Sequence, residues 1–371
     1  MKKEYIKFIL LIILFGAFYF VPMDFLSADN AIAAGFLTLQ DYAQKHVLLC
    51  LVPAFFIAGG IAVYAKKEAV LKLLGAKTPK WISYPVASVS GGVLAVCSCT
   101  ILPLFAGIWK RGAGIGPATA FLYAGPAINV AAIFLTGTVL GWEMSFVRLA
   151  FSIVGAIIIG LIMGSIFKEQ GISELVENDE NESSFSKVWV LLFFMFQLAF
   201  LIVGGLKITP VTKVSLLISF VLVLIYIIFV KFDKEHNKEW IGEVWFFTKK
   251  ILPYLFAGVF IAGVISQALP EEVVNTLLGG NRIFSNFFAS VFGALMYFAT
   301  LTEVPIIQSL MTLGMGKGPA LALFLAGYSL SLPNMIVLTK LLGWKKAFTY
   351  IALIIVYSSL AGFVYGNYMF I

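Results

Sequence analysis

Apolar stretches long enough to cross a bilayer, about 20 residues each, recur along the whole chain with short polar turns between them. They cover residues 5–22, 47–65, 81–109, 115–141, 144–167, 188–206, 211–231, 246–269, 283–311, 317–342 and 346–370. Backbone groups inside lipid have to be satisfied within the segment itself, so such stretches predict helices. Two of them are interrupted, the first near 97–103 and the second near 300–305, each ahead of a proline, Pro103 or Pro305. The one clearly polar linker, 168–187, carries Glu169, Glu174, Glu177, Asp179, Glu180 and Glu182.

The pattern repeats. A shift of 202 positions lays residues 91–142 on 293–344 without a gap. Pro103 then meets Pro305, Gly116-Pro117-Ala118 meets Gly318-Pro319-Ala320, and Gly141-Trp142 meets Gly343-Trp344. With a shift of 204, Phe56-Ile57-Ala58-Gly59 meets Phe260-Ile261-Ala262-Gly263. Glycine, proline and tryptophan matching together argue against a chance overlay of small apolar residues.

Charge sets the predicted topology. The loop 66–80 holds five lysines (Lys66, Lys67, Lys72, Lys77 and Lys80), whereas its counterpart, 270–282, holds Glu271, Glu272 and Arg282. Positive loops stay inside, so the two repeats are expected to be inverted, as in many secondary transporters. The stretch 81–109 carries Lys80 at one end and Lys110-Arg111 at the other. Two inside ends and a broken middle predict a re-entrant hairpin, with a full span at each such segment as the alternative reading. The expected fold is an all-α polytopic membrane protein with two inverted-topology repeats, about nine transmembrane helices and two re-entrant helical hairpins. The chain divides into 1–45, a first helix and outer loop; 46–167, the first repeat; 168–187, an acidic cytoplasmic linker; 188–245, two connecting helices; and 246–371, the second repeat.

Composition agrees. The chain is 61% apolar and 12% charged, about half the charge of a soluble domain. A net charge of +7 lies in short loops, so nucleic-acid binding is not expected. Three cysteines, Cys50, Cys97 and Cys99, are too few for a disulfide framework. The segment 5–22 could be read as a signal peptide, but Ala31-Ile32-Ala33 lies well past its apolar core, and a retained helix with a cytoplasmic amino terminus is the better reading. No nucleotide-binding P-loop is present and no cofactor is expected.

The breaks carry the candidate chemistry. The first holds Cys97, Ser98, Cys99 and Thr100; the second holds Thr300, Thr302 and Glu303. Irregular backbone at membrane depth is tolerated only inside protein or beside water, and opposed hairpins would meet near the midplane, where such transporters bind substrate. On a helix, residues two apart point about 200° away from each other. Chelation by Cys97 and Cys99 therefore needs extended or turn backbone, where they share a side. Two thiolates select soft cations or metalloids. Glu303, an acid inside an apolar segment, is a functional candidate by default, for proton coupling or for ligating a cation. Asn129 follows Gly125-Pro126 and Asn334 follows Pro333, where helix ends would aim polar groups into a cavity. Cys50 reads as a packing residue or a third thiol, Arg148 as a snorkelling or paired residue, Lys110 and Arg111 as inside anchors, and Gln197 and Gln308 as weaker candidates. His46 and His236 have no metal-ligand spacing.

The run Cys97-Ser98-Cys99-Thr100-Ile101-Leu102-Pro103-Leu104-Phe105, then Lys110-Arg111-Gly112-Ala113, Phe121-Leu122 and Ala124-Gly125-Pro126-Ala127-Ile128-Asn129, resembles the ArsP-type predicted permeases, over about residues 45–370. The resemblance implies a bacterial or archaeal plasma-membrane permease, with Cys97 and Cys99 as ligands for a trivalent organoarsenical such as methylarsenite. Arsenic that carries one carbon needs two thiolates, which Cys-x-Cys supplies. The expected partners are a small thiophilic substrate and the lipid bilayer; a homo-oligomer or an accessory subunit is left open. The competing reading is a thiol–disulfide carrier using the same cysteines. Strain in a Cys-x-Cys disulfide and the lack of matching cysteines in the second repeat weigh against it. A soft-metal permease, or one subunit of a multi-component permease, is a further alternative.

Overall fold

In the computed structural model, residues 30–64, 73–75, 78–93, 98–128, 130–167, 187–205, 209–268, 276–296, 303–312 and 314–369 are described, with a few positions between 13 and 20. Within them the chain is helical, and strand pairing is limited to isolated bridges. The helices are α1 Ala31–Tyr42, α2 Val52–Tyr64, α3 Lys80–Val93, α4 Ser98–Lys110, α5 Ile115–Ala127, α6 Val130–Val139, α7 Trp142–Ile166, α8 Lys187–Gly205 and α9 Pro210–Tyr226. They continue as α10 Lys234–Ala268, α11 Ile283–Leu295, α12 Glu303–Thr312, α13 Lys317–Gly327, α14 Leu332–Leu342 and α15 Trp344–Val364.

Two stretches differ from expectation. Residues from Ala31 onward, read as loop to about 46, are helical. Asn30 Oδ1 caps the start by accepting from Ile32 N at 3.0 Å, and wide turns over Ala43–Leu51 carry the helix into α2. Asp41, Gln44, Lys45 and His46 dilute the hydropathy there, but they leave the backbone hydrogen bonds intact. The charged connection 231–243 is mostly the opening of α10, a helix of 35 residues.

Four helices are long and apolar enough to cross a membrane, and up to seven if each bent pair counts as one span. The bent pairs lie over α1–α2, α5–α6 and α13–α14, with angles of 46°, 46° and 43°. These seven correspond in place to seven of the nine predicted crossings. Of the other two, 188–206 forms the shorter apolar helix α8, and 5–22 lies largely outside the described residues.

The core is built on α5 and α13. Every residue of α5 is buried, as is α13 from Gly318 to Gly327; a helix apolar on all sides belongs in the interior. Pro117 and Pro319 are the third residues of these two helices, in the first turn, where a missing N–H forfeits no intrahelical bond. Small residues let the flanking helices approach closely. A methyl group on Gly116 of α5 would meet the Gly160 carbonyl of α7 at 2.8 Å, and one on Gly318 of α13 would meet the Gly362 carbonyl of α15 at 2.6 Å. At the periphery, α9 buries no residue; in a lipid-facing helix an apolar surface needs no protein cover.

Several backbone features recur at the shift of 202, or of 204 for the chain around Gly75 and Gly279. Positive φ occurs at Gly112 (94°) and Gly314 (107°), and at Gly141 (98°) and Gly343 (80°). Gly75 bridges to Ala113 and Gly279 to Met315. Gly114 N donates to Leu74 O at 2.8 Å and Gly316 N to Leu278 O at 3.4 Å. These contacts join the chain ahead of α3 to the chain behind α4, and the chain ahead of α11 to the chain behind α12. Each helix–break–helix segment thus enters and leaves at the same place. Over the described residues its two helices run for 10 to 14 residues each, less than the about 20 that a crossing needs. α5 lies against both α3 and α4, and α13 against both α11 and α12.

Candidate functional site

Each segment's second helix also bears on the opposite half. α4 packs against α14, and α12 packs against α6. The contacted helices are the outer limbs of the two bent pairs. The described parts of α4 and α12 share no extensive face with each other.

Of the predicted site residues, Cys97, Asn129, Thr300 and Thr302 lie outside the described residues, while Ser98 and Cys99 are placed only as backbone in the first turn of α4. Thr100, in the same turn, is fully buried. Glu303 is the first residue of α12 and is 1% exposed. Asn334 is buried in the first turn of α14, its backbone N–H donating to Ser331 Oγ at 3.5 Å. Neither carboxyl oxygen of Glu303, nor Oδ1 of Asn334, has a hydrogen-bond partner among the described residues. The expected break at Gly125-Pro126 falls slightly later, because α5 runs through Pro126 to Ala127. A proline this close to a helix end removes one hydrogen bond without disturbing a following turn. No group of three or more metal-ligating side chains occurs among the described residues, which do not include the side chains of Cys50, Cys97 and Cys99.

Beside Glu303 stands a residue that sequence reasoning undervalued. Arg148, on α7, is not snorkelling: its side chain is 0% exposed. Its Nη1 donates to Thr136 Oγ1 at 2.6 Å, and the Thr136 hydroxyl donates to Ala132 O at 2.7 Å. Ser145 fixes the start of α7 against α6 by donating to Ile133 O at 2.6 Å. The guanidinium carbon lies 4.7 Å from the ring centre of Phe324 and 4.4 Å from that of Tyr328. Two aromatic faces stabilise a buried cation, yet Nε and Nη2 make no hydrogen bond among the described residues. Glu303 and Tyr328 are both within electrostatic reach of Arg148, but guanidinium and carboxylate do not close an ion pair.

More buried hydroxyls extend from this cluster. Tyr328 faces Ser152, and Tyr123 faces Ser358 with Tyr350 and Tyr357 nearby. The Tyr357 hydroxyl donates to Phe151 O at 2.6 Å. Those of Tyr123, Tyr328, Tyr350, Ser152 and Ser358 have no partner among the described residues. Buried polar groups are nearly always paired, so this concentration in the core marks a polar interior. Gln197 belongs elsewhere, to an apolar cavity of about 260 Å³ lined also by Leu48, Phe56, Val221 and Trp240. Gln308 is exposed on α12.

The family described as predicted permease, ArsP type, matches residues 32–367, a span that takes in every described helix but the first residue of α1. The chain belongs to that permease family. A UPF0718 protein of Methanocaldococcus jannaschii is 47% identical over 343 residues, covering 89% of this chain and 94% of the relative. The UPF0718 protein YraQ of Escherichia coli is 26% identical over 246 residues, covering 66% of this chain and 56% of the relative. No solved structure matches the chain. In a permease, buried charges and orphaned hydroxyls between helices are where a polar solute would be handled. Arg148 carried the same signal in sequence as Glu303, a lone charge within an apolar segment. Its place near the start of that segment, after Glu143, made it read as an interfacial residue.

Proposed function

We propose that this permease is a secondary transporter of inverted-repeat design that exports a small thiophilic substrate, a trivalent organoarsenical of the methylarsenite type, in exchange for protons. The observation that carries the transport reading is the reciprocal packing of α4 on α14 and α12 on α6, with Glu303 buried at the start of α12. A site shared between two halves can be opened to either side by rocking one against the other. The lysine-rich loops favour an amino terminus and an acidic linker in the cytoplasm of a bacterial or archaeal cell, with the helices in its plasma membrane.

The substrate class rests on Cys97-Ser98-Cys99 at the first break. Methylarsenous acid would exchange two As–O bonds for two As–S bonds, releasing two waters and keeping its As–C bond. Hydrolysis at the far side reverses the exchange, so no oxidant or reductant is needed. Glu303 would carry the proton on the return leg. The test is resistance in an arsenical-sensitive bacterial host. Cys97→Ser and Cys99→Ser are each expected to abolish methylarsenite resistance, and Cys50→Ser to preserve it. In everted vesicles, Glu303→Gln is expected to remove the dependence of uptake on a proton gradient. Full resistance in both Cys97→Ser and Cys99→Ser would eliminate the arsenical reading while leaving the permease intact.

A further inference from the structure

We infer that Arg148, Tyr328 and Ser152 form a binding site for a small inorganic anion, and that the anion binds together with a proton on Glu303. The inference does not depend on the thiophilic substrate.

The donor inventory comes first. Arg148 is permanently charged and fully buried, with Nε and Nη2 unpartnered among the described residues. The hydroxyls of Tyr328 and Ser152 lie close to each other and to the guanidinium, without closing a hydrogen bond of good geometry among the described residues. The cluster is therefore rich in donors, and its one ionisable acceptor, Glu303, stands near without pairing. Unpaired buried donors each have a cost, and an acceptor with no proton of its own satisfies several at once.

A general scaffolding role does not account for the cluster. At the repeat shift of 202, Arg148 falls on Tyr350, Ser152 on Ile354, Thr136 on Leu338, Glu303 on Ile101 and Tyr328 on Pro126. Neither half repeats its own contribution at the matching positions of the other. The cluster therefore occurs once, assembled from α6 and α7 of the first half and α12 and α13 of the second, and is not part of the repeated framework.

Charge balance links the two ligands. With Glu303 ionised, the cluster is neutral, and an entering anion would leave a net negative charge in an apolar interior. With Glu303 protonated, Arg148 is an uncompensated buried cation, which is costly, and an anion restores neutrality. The protonated carboxyl also becomes a donor. Among the described residues, the titratable groups facing Glu303 are Arg148 from α7 and Tyr328 at the end of α13. α6, which packs against α12, brings none.

Anion binding to the purified full-length chain in detergent tests this, read as saturable thermal stabilisation by chloride or nitrate against gluconate at equal ionic strength. Affinity is expected to rise about tenfold from alkaline to acidic pH, an ordinary coupling strength. Glu303→Gln, a fixed mimic of the protonated acid, should hold the acid-form affinity at both pH values. Arg148→Gln should lose the response. If that variant does not fold, Arg148→Lys, which keeps the charge but loses the fork, should weaken binding at least tenfold. Stabilisation by neither chloride nor nitrate, an affinity indifferent to pH in the unaltered chain, or an unchanged pH response in Glu303→Gln would each overturn the inference. The readout is independent of arsenical resistance, so this proposal and the transport reading can fail separately.

Discussion

At the scale of single residues, Arg148 is held by one conventional hydrogen bond and two ring faces. Thr136 is its anchor: the hydroxyl accepts from Nη1 and passes its own proton to Ala132 O. Thr136→Val keeps the shape and removes the acceptor, leaving another guanidinium N–H unpaired. A loss of about 1–3 kcal/mol is expected, read as a lower melting temperature in detergent, with Thr136→Ser close to the unaltered chain. The two buried charges were unequally visible in the sequence. Glu303 sits deep in an apolar run beside a proline, and its burial follows from position alone. Whether Arg148 reaches the interface or turns inward depends on which face of α7 meets α13, a tertiary matter that spacing does not encode.

At the scale of elements, hydropathy found most helices because a segment in lipid has to be apolar throughout. It missed the start of α10 and much of α1 for the complementary reason. Helix is set by backbone hydrogen bonds, and a helix that extends beyond the apolar zone has no hydropathy signature. The close crossings of α5 with α7 and of α13 with α15 were announced by glycines at matching positions. Gly116→Leu should clash with Gly160 and with the Tyr84 hydroxyl, costing about 1–3 kcal/mol or more through overpacking. Gly141→Ala meets no atom within 4 Å; its cost, also about 1–3 kcal/mol, comes from a φ of 98° that side chains seldom adopt. Adding room nearby separates the two. Tyr84→Ala should partly rescue Gly116→Leu in a thermal-stability assay and leave Gly141→Ala unchanged.

At the scale of the whole molecule, the proposed inversion of the two repeats makes a directional prediction. Lys80, the first residue of α3, and Arg282, just ahead of α11, are exposed at the start of the matching helices of the two halves. In a background without the native cysteines, Lys80→Cys should react with a membrane-impermeant maleimide only from the cytoplasmic side, and Arg282→Cys only from outside. Labelling of both from one side would make the repeats parallel. The stretch proposed to hold substrate was legible only as residue types. Soft-ligand preference follows from thiols themselves, but the geometry that would bring two of them onto one arsenic does not follow from spacing.

The backbone contacts at Gly75–Ala113 and Gly279–Met315 have a mechanical consequence. Each pair, α3 with α4 and α11 with α12, is closed at a stitched root that leads directly into a central helix packed on every side. Translating the root would drag that helix through the core, whereas swinging about it would not. Any movement of the pair would therefore pivot on that root.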